Sequence, residues 1–202
     1  MNVGLLSIDD FYEDPYAIRN IALTTQYFNP GYSMSHVNAT APWPGKMSTE
    51  AYSTSDVDLK VSKLLHKNLR QMRQYDSGRF RISKAGDVSQ NLLHVDNFDD
   101  TSYAGVLYLS LPEHCKNIKG TIFYTHKATG KDSANNKEEV KNIILSNGYN
   151  DLSQWDINLV SYMAFNRLIV YPANKFHGIG ELFGDCDSNA RLIQVFFWNE
   201  IK

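Results

Sequence analysis

From Arg79 to Trp198 the chain is a succession of strand-length apolar or alternating runs separated by turn-forming residues, and this spacing constrains the fold more than any other feature. Arg79 to Ser83 alternates, Gln90 to Asp96 follows, and Ala104 to Leu109 is dense enough in apolar residues for a central strand. Gly120 to Tyr124, Arg167 to Tyr171 (ending at Pro172) and Arg191 to Trp198 complete the series. Glu138 to Leu145 reads as a short helix, and Trp155 to Phe165 fits either helix or strand.

The first 76 residues have a different grammar. Asp14-Pro15 is a helix start, with an N-cap carboxylate and a proline at the first helical position. A helix to about Tyr27 puts Ile18, Ile21, Ala22 and Thr25 on one side. A second helix is predicted from about Ser55 to Tyr75, where Val57, Val61, Leu64, Leu65, Leu69 and Met72 recur at three- and four-residue steps. Between them, Asn29-Pro30-Gly31 and Pro42-Trp43-Pro44-Gly45 punctuate an irregular segment, and residues 28–49 are the candidate lid over a site. With 202 residues, 43% of them hydrophobic, there is material for one core and no need of a second. The expectation is a single α+β domain over 1–202: an N-terminal helical part to about residue 76, and a jelly-roll core over about 79–198. That core would be a double-stranded β-helix, a cupin-like barrel backed by the helices.

A formal charge of −2 gives neither the basic footprint of a nucleic-acid binder nor a polybasic membrane-binding segment. Cys115 and Cys186 are far apart and fit neither a zinc ribbon nor a disulfide framework, so two free thiols are expected. The opening residues lack a basic region followed by a long apolar one, and no stretch approaches the ~18 apolar residues of a membrane span. A soluble, cytoplasmic protein is expected.

The candidate chemistry lies in His94-Val95-Asp96. In a strand, residues two apart share a face, so one imidazole and one carboxylate reach a common point. A second histidine would complete a 2-His-1-carboxylate triad, which holds Fe(II) on three corners and leaves three positions open. His177, in Phe176-His177-Gly178 just beyond the Arg167–Pro172 run, is the best candidate. Arg191, Ile193, Val195 and Phe197 share one face of the last strand, and a cation pointing inward with apolar residues calls for an anion, for which the guanidinium fork suits a carboxylate. Taken singly, each feature has a plainer reading: a hydrogen-bonded His–Asp pair, a turn histidine, an arginine paired with an internal carboxylate.

The order of these motifs, with the Tyr108 strand, Gly120-Thr121-Ile122-Phe123 and Asn166-Arg167-Leu168-Ile169-Val170-Tyr171-Pro172 between them, resembles the Fe(II)- and 2-oxoglutarate-dependent dioxygenases, particularly the prolyl-4-hydroxylase-like branch. The likeness covers roughly residues 79–198. It implies His94, Asp96 and His177 as iron ligands and Arg191 as the partner of the distal carboxylate of 2-oxoglutarate. Tyr108 falls where that branch places a tyrosine reaching the same carboxylate, though an aromatic on a central strand is also ordinary core. Asn91 is a looser candidate for the co-substrate pocket. Two departures stand out: Lys119-Gly120 replaces the usual Gly-Gly, and Gly184-Asp185-Cys186-Asp187 lengthens the interval from His177 to Arg191. The implied reaction uses O2 and 2-oxoglutarate, releases succinate and CO2, and hydroxylates a C–H bond of a protein, peptide or small-molecule substrate. The rival expectations are a non-redox cupin-type metalloprotein and an inert jelly-roll binding module. His36, His66, His114 and His126 have no matched partner, Trp43, Trp155 and Trp198 read as packing residues, and Lys46 and Arg167 as solvated surface.

Overall fold

The computed structural model describes residues 4–29, 44–53, 55–72, 76–87, 93–145 and 151–201. In chain order the strands are β1 (Leu6–Ile8), β2 (Tyr27–Phe28), β3 (Lys46–Ala51), β4 (Leu69–Gln71), β5 (Arg79–Ser83), β6 (Ser102–Tyr108), β7 (Lys119–His126), β8 (Trp155–Tyr162), β9 (Arg167–Pro172), β10 (His177–Ile179) and β11 (Arg191–Glu200). The helices are α1 (Pro15–Thr24), α2 (Ser55–Leu65), α3 (Pro112–Cys115) and α4 (Lys137–Val140). An eight-stranded antiparallel sheet has the order β1-β9-β6-β11-β5-β3-β2, with β4 also on β11, and a smaller sheet runs β10-β7-β8. The protein is therefore mostly β, with a jelly-roll-like pairing of two sheets.

The period-2 pattern of the central strands divides the large sheet into two faces. Leu107 on β6, Leu168 and Val170 on β9, and Leu192, Phe196 and Trp198 on β11 share a buried cluster with Ile18 and Ala22 of α1 and Val57, Val61 and Leu65 of α2. The alternate residues, Ala104, Val106, Tyr108, Ile169, Tyr171, Ile193 and Val195, face the other way and pack with Phe123 of β7 across the gap between the sheets. Each such Leu, Ile or Phe contributes ~1.5–3 kcal/mol by leaving water. The helices thus cover one face, and the site opens on the other.

Several sequence expectations change here. α1 starts as predicted, with Asp14 accepting from the Ala17 N–H, but stops at Thr24, and Tyr27–Phe28 pairs with β3. α2 ends at Leu65, ten residues short of the expected Tyr75; His66 has φ +52°, a chain reversal, and Leu69–Gln71 pairs with Trp198–Glu200. Leu69 and Met72 continue the helical spacing yet are buried from outside the helix, so pairing with the end of the long strand β11 outweighed local periodicity. Of the candidate lid 28–49, Lys46–Ala51 is strand β3, and 30–43 lies outside the described residues. Within Gln90–Asp96 the described residues form a single β-bridge at His94 rather than a strand. The 138–145 segment is α4 followed by a π-helical turn at Lys141–Leu145, and Trp155 opens a strand. Trp155 and Trp198 are buried, and Trp43 lies outside the described residues. Arg167 and Lys46 pair with Asp9 and Asp187. Both cysteines are free thiols, and no helix among the described residues is long and apolar enough to cross a membrane.

Candidate metal centre

His94 and His177 are locked to one another by their backbones. His94 N–H donates to the His177 carbonyl at 2.9 Å and His177 N–H to that of His94 at 3.0 Å, which brings the ring centroids to 4.3 Å. His177 opens β10, whose other edge pairs with β7 at Phe123, so the small sheet fixes its position. Asp96 is placed by its own N–H, which donates to the Ala173 carbonyl in the turn between β9 and β10. His94, Asp96 and His177 consequently offer three ligand atoms within 4.8 Å of one another. Asp96 Oδ1 is 3.4 Å from His94 Nε2, and Oδ2 is 3.3 Å from His177 Nε2.

The hydrogen bonds fix the protonation state. His177 Nδ1 lies 2.9 Å from the Lys175 carbonyl, which only accepts, so Nδ1 carries the proton and Nε2 presents its lone pair. Burial holds the His177 pKa down at about 4, since the charged form is poorly solvated there. Burial also raises the Asp96 carboxyl, but His177, His94 and Arg81 outweigh it and hold the group below the usual carboxylate range. Two imidazoles and one carboxylate suit a borderline divalent cation such as Fe(II).

Sequence reasoning missed Tyr171. It follows Ile169 on the inner face of β9, where it looked like packing, but its hydroxyl is 3.0 Å from His177 Nε2 and 3.3 Å from Asp96 Oδ2. With Nε2 committed to a metal, the O–H would keep Asp96 as its acceptor and would orient that carboxylate. Tyr171→Phe is expected to lower Ni(II) affinity ~10-fold in calorimetric titration, as loss of an outer hydrogen bond does. Unchanged affinity would show the hydroxyl to be irrelevant to the metal.

At the far end of the same cavity, of about 40 Å³, stands Arg191. It is 3% exposed; one Nη donates to the Gly120 carbonyl at 3.0 Å, and its Nε is buried without a hydrogen-bond partner among the described residues. Burial is the main reason its pKa falls to about 10. Asp185-Cys186-Asp187 does not disturb the strand that follows, because Asn189 accepts from the Asp185 and Cys186 N–H groups and closes the segment into a turn. Tyr108 is fully buried behind the wall, its hydroxyl bonded to Thr121 Oγ1 at 3.0 Å and Ser161 Oγ at 3.3 Å, with Thr121 itself lining the cavity. Asn91 lies outside the described residues. Gly120 is a position with no room for a side chain: a Cβ there would stand 2.6 Å from Tyr108 Cζ and 2.7 Å from its oxygen. Gly120→Ala is expected to destabilise by ~1–3 kcal/mol in urea denaturation, through overpacking against Tyr108.

Arg81 also went unremarked in the sequence. It is 7% exposed and lines the cavity, although Phe80 and Ile82 beside it pack on the helix side. The signal was there in Arg79-Phe80-Arg81-Ile82-Ser83, a strand whose second face carries a charge.

A jelly-roll-like domain with a His-Asp-His cluster and a buried arginine sharing one cavity is the class that fold and site define. Within it, the chain belongs to DUF6445, a family of unknown function, which it matches over residues 2–182. No curated protein matches the sequence. Among solved structures it is similar to HygX from Streptomyces hygroscopicus with nickel and 2-oxoglutarate bound, at 12% identity and TM-score 0.55 over 98% of this chain and 84% of that one. It is likewise similar to SnoN, the non-heme α-ketoglutarate-dependent epimerase from nogalamycin biosynthesis, at 11% identity and TM-score 0.59 over 98% and 78% of the two chains. At such identities the likeness is one of fold.

Proposed function

We propose that this protein is an Fe(II)- and 2-oxoglutarate-dependent oxygenase acting on a C–H bond of a small molecule, built on a double-stranded β-helix. The observation that carries the reading is the convergence of His94, Asp96 and His177 on one cavity whose far wall holds the buried Arg191. Fe(II) with 2-oxoglutarate and O2 would supply the oxidising chemistry, coupling release of succinate and CO2 to hydroxylation. His94, Asp96 and His177 would hold the metal, and the coordination positions they do not fill would be left to the co-substrate and O2. Arg191 presents its fork to the distal carboxylate, Tyr108 and Thr121 support that end, and Val106, Ile193, Val195 and Phe197 exclude water. Preference for a small molecule follows from the neighbours: HygX has also been solved with hygromycin B bound, and SnoN acts in the biosynthesis of nogalamycin. The motif order that resembles the prolyl-4-hydroxylase branch carries the alternative of a peptide side chain.

The test is anaerobic addition of Fe(II) and 2-oxoglutarate to metal-free protein. A weak visible charge-transfer band that needs both components, and is lost in His177→Ala and weakened in Arg191→Ala, is the expected result. Iron binding with no such band would leave a non-redox metal site instead.

A further inference from the structure

Three hydroxyl groups meet at the Arg191 end of the cavity. Tyr108 reaches from β6 of the large sheet to the small sheet, where its oxygen lies 3.0 Å from Thr121 Oγ1 on β7 and 3.3 Å from Ser161 Oγ on β8. Thr121 and Ser161 are opposite one another in the β7–β8 register, so their side chains share a face and the phenol bridges them. All three are buried, and of the three it is Thr121 that lines the cavity. Its place is fixed from the other side as well. Thr121 pairs with Ile179 on β10, and the Gly120 carbonyl beside it accepts from the Gly180 N–H and from Arg191, both at 3.0 Å. Tyr108 lies against Gly120, in the space that a side chain there would take.

Counting protons gives this group a direction. Burial raises the phenol pKa above its ordinary value, so Tyr108 keeps its one proton and has one hydrogen bond to donate. If that proton goes to Ser161, the bond between Tyr108 and Thr121 uses the threonine proton, and Thr121 turns only lone pairs toward the cavity. If it goes to Thr121, the threonine proton is free to point into the cavity, and the longer bond, to Ser161, is the one given up. A carboxylate accepts and does not donate, so beside an anion the second arrangement is the favoured one. The wall then offers the hydroxyl of Thr121 together with Arg191, whose buried Nε has no hydrogen-bond partner among the described residues.

We propose that Thr121 is the hydroxyl that binds the distal carboxylate of 2-oxoglutarate beside Arg191, and that Tyr108 is a positioning residue that acts through Thr121 without touching the ligand. This departs from what the resemblance to the prolyl-4-hydroxylase branch implies for Tyr108, and it rests on the co-substrate reading above.

The experiment is calorimetric titration of redox-silent Ni(II) protein with 2-oxoglutarate. Thr121→Val, which removes the hydroxyl at nearly constant volume, should weaken binding ~10- to 100-fold, as loss of a hydrogen bond to a charged group does, while Thr121→Ser stays within about threefold of wild type. Tyr108→Phe should cost only about threefold, and that cost should vanish in the Thr121→Val background, because a residue that acts through Thr121 has nothing left to act on. 2-Oxopentanoate, which lacks the distal carboxylate, should bind wild type and Thr121→Val alike. Ni(II) affinity reports the fold of each variant, and Thr121→Ala makes the same deletion should the valine pack badly. A Tyr108→Phe loss that persists in the double variant would put the phenol on the ligand and overturn the inference. Wild-type affinity in Thr121→Val or in Tyr108→Phe, or an equal loss for 2-oxopentanoate, would overturn it too. Failure of the co-substrate reading looks different: wild-type protein then takes Ni(II) and not 2-oxoglutarate, and the inference falls with it, whereas the wrong pattern among variants of a protein that binds 2-oxoglutarate sinks the inference alone.

Discussion

Replacing His177 by alanine is expected to abolish specific Ni(II) and Fe(II) binding, with an effect larger than the ~10- to 100-fold that loss of an outer hydrogen bond produces. The backbone bridge to His94 does not involve the imidazole, so the fold should survive the change. Removing the ring deletes the hydrogen bonds to the Lys175 carbonyl and the Tyr171 hydroxyl, at a cost of ~1–3 kcal/mol in the metal-free protein. The acid behaviour of the metal-free protein reads the burial of His177. In the unfolded chain a histidine gains its proton near pH 6.5, whereas folded His177 resists until about 4. The unfolded state therefore binds more protons in that window, and metal-free wild type loses stability as the pH falls from about 6.5 to about 4. Above the window the two states are equally neutral at this residue, and below it the penalty is complete. His177→Ala should flatten this slope in urea denaturation followed against pH. The same depressed pKa makes Ni(II) affinity insensitive to proton competition at His177 between about pH 5 and pH 8, where an exposed histidine would lose ligand capacity below its ordinary pKa. Ni(II) binding that survives in the alanine variant would place the metal elsewhere.

How far the site could be read from the chain depended on whether its signal was local. Alternation in β6, β9 and β11 is local, and it marked Arg191 as an inward cation before any fold was known; the cavity wall holds it. The His-x-Asp pair is local as well, but its geometry is not that of a strand: a bridge to His177 and a bond to the Ala173 carbonyl present the two side chains. Tyr171 and Arg81 escaped because their meaning is relational. A tyrosine on an apolar strand reads as core until His177 lies 3.0 Å away, and Arg81 reads as an edge charge until β11 turns its face inward. The overlong second helix has the same origin, since nothing in residues 66–72 announces that Trp198 to Glu200 will pair with Leu69 to Gln71.

Arg191→Met is expected to reverse sign between ligand-free and ligand-saturated protein. Among the described residues the buried guanidinium donates to the Gly120 carbonyl, and its Nε has no hydrogen-bond partner. Replacing a buried charge by an apolar side chain of similar length is commonly neutral or stabilising, here by ~1–3 kcal/mol, read as a higher urea midpoint with an unchanged slope. Against 2-oxoglutarate the variant loses the carboxylate partner, and truncating one side of a desolvated charge pair costs ~2–5 kcal/mol, or about 30- to 4,000-fold in affinity. Wild-type Ni(II) protein at a hundred times its dissociation constant gains ~2.7 kcal/mol from the ligand, and the variant at the same concentration gains little. The two stability curves should therefore cross as 2-oxoglutarate is added: the variant is the more stable protein without it and the less stable with it. A variant that unfolds earlier than wild type at every concentration, with its 2-oxoglutarate affinity intact, would make Arg191 a structural residue held by Gly120. The crossing is the behaviour of a residue kept for function at the expense of stability, and it ties the orphaned Nε of a ligand-free cavity to the anion that would satisfy it.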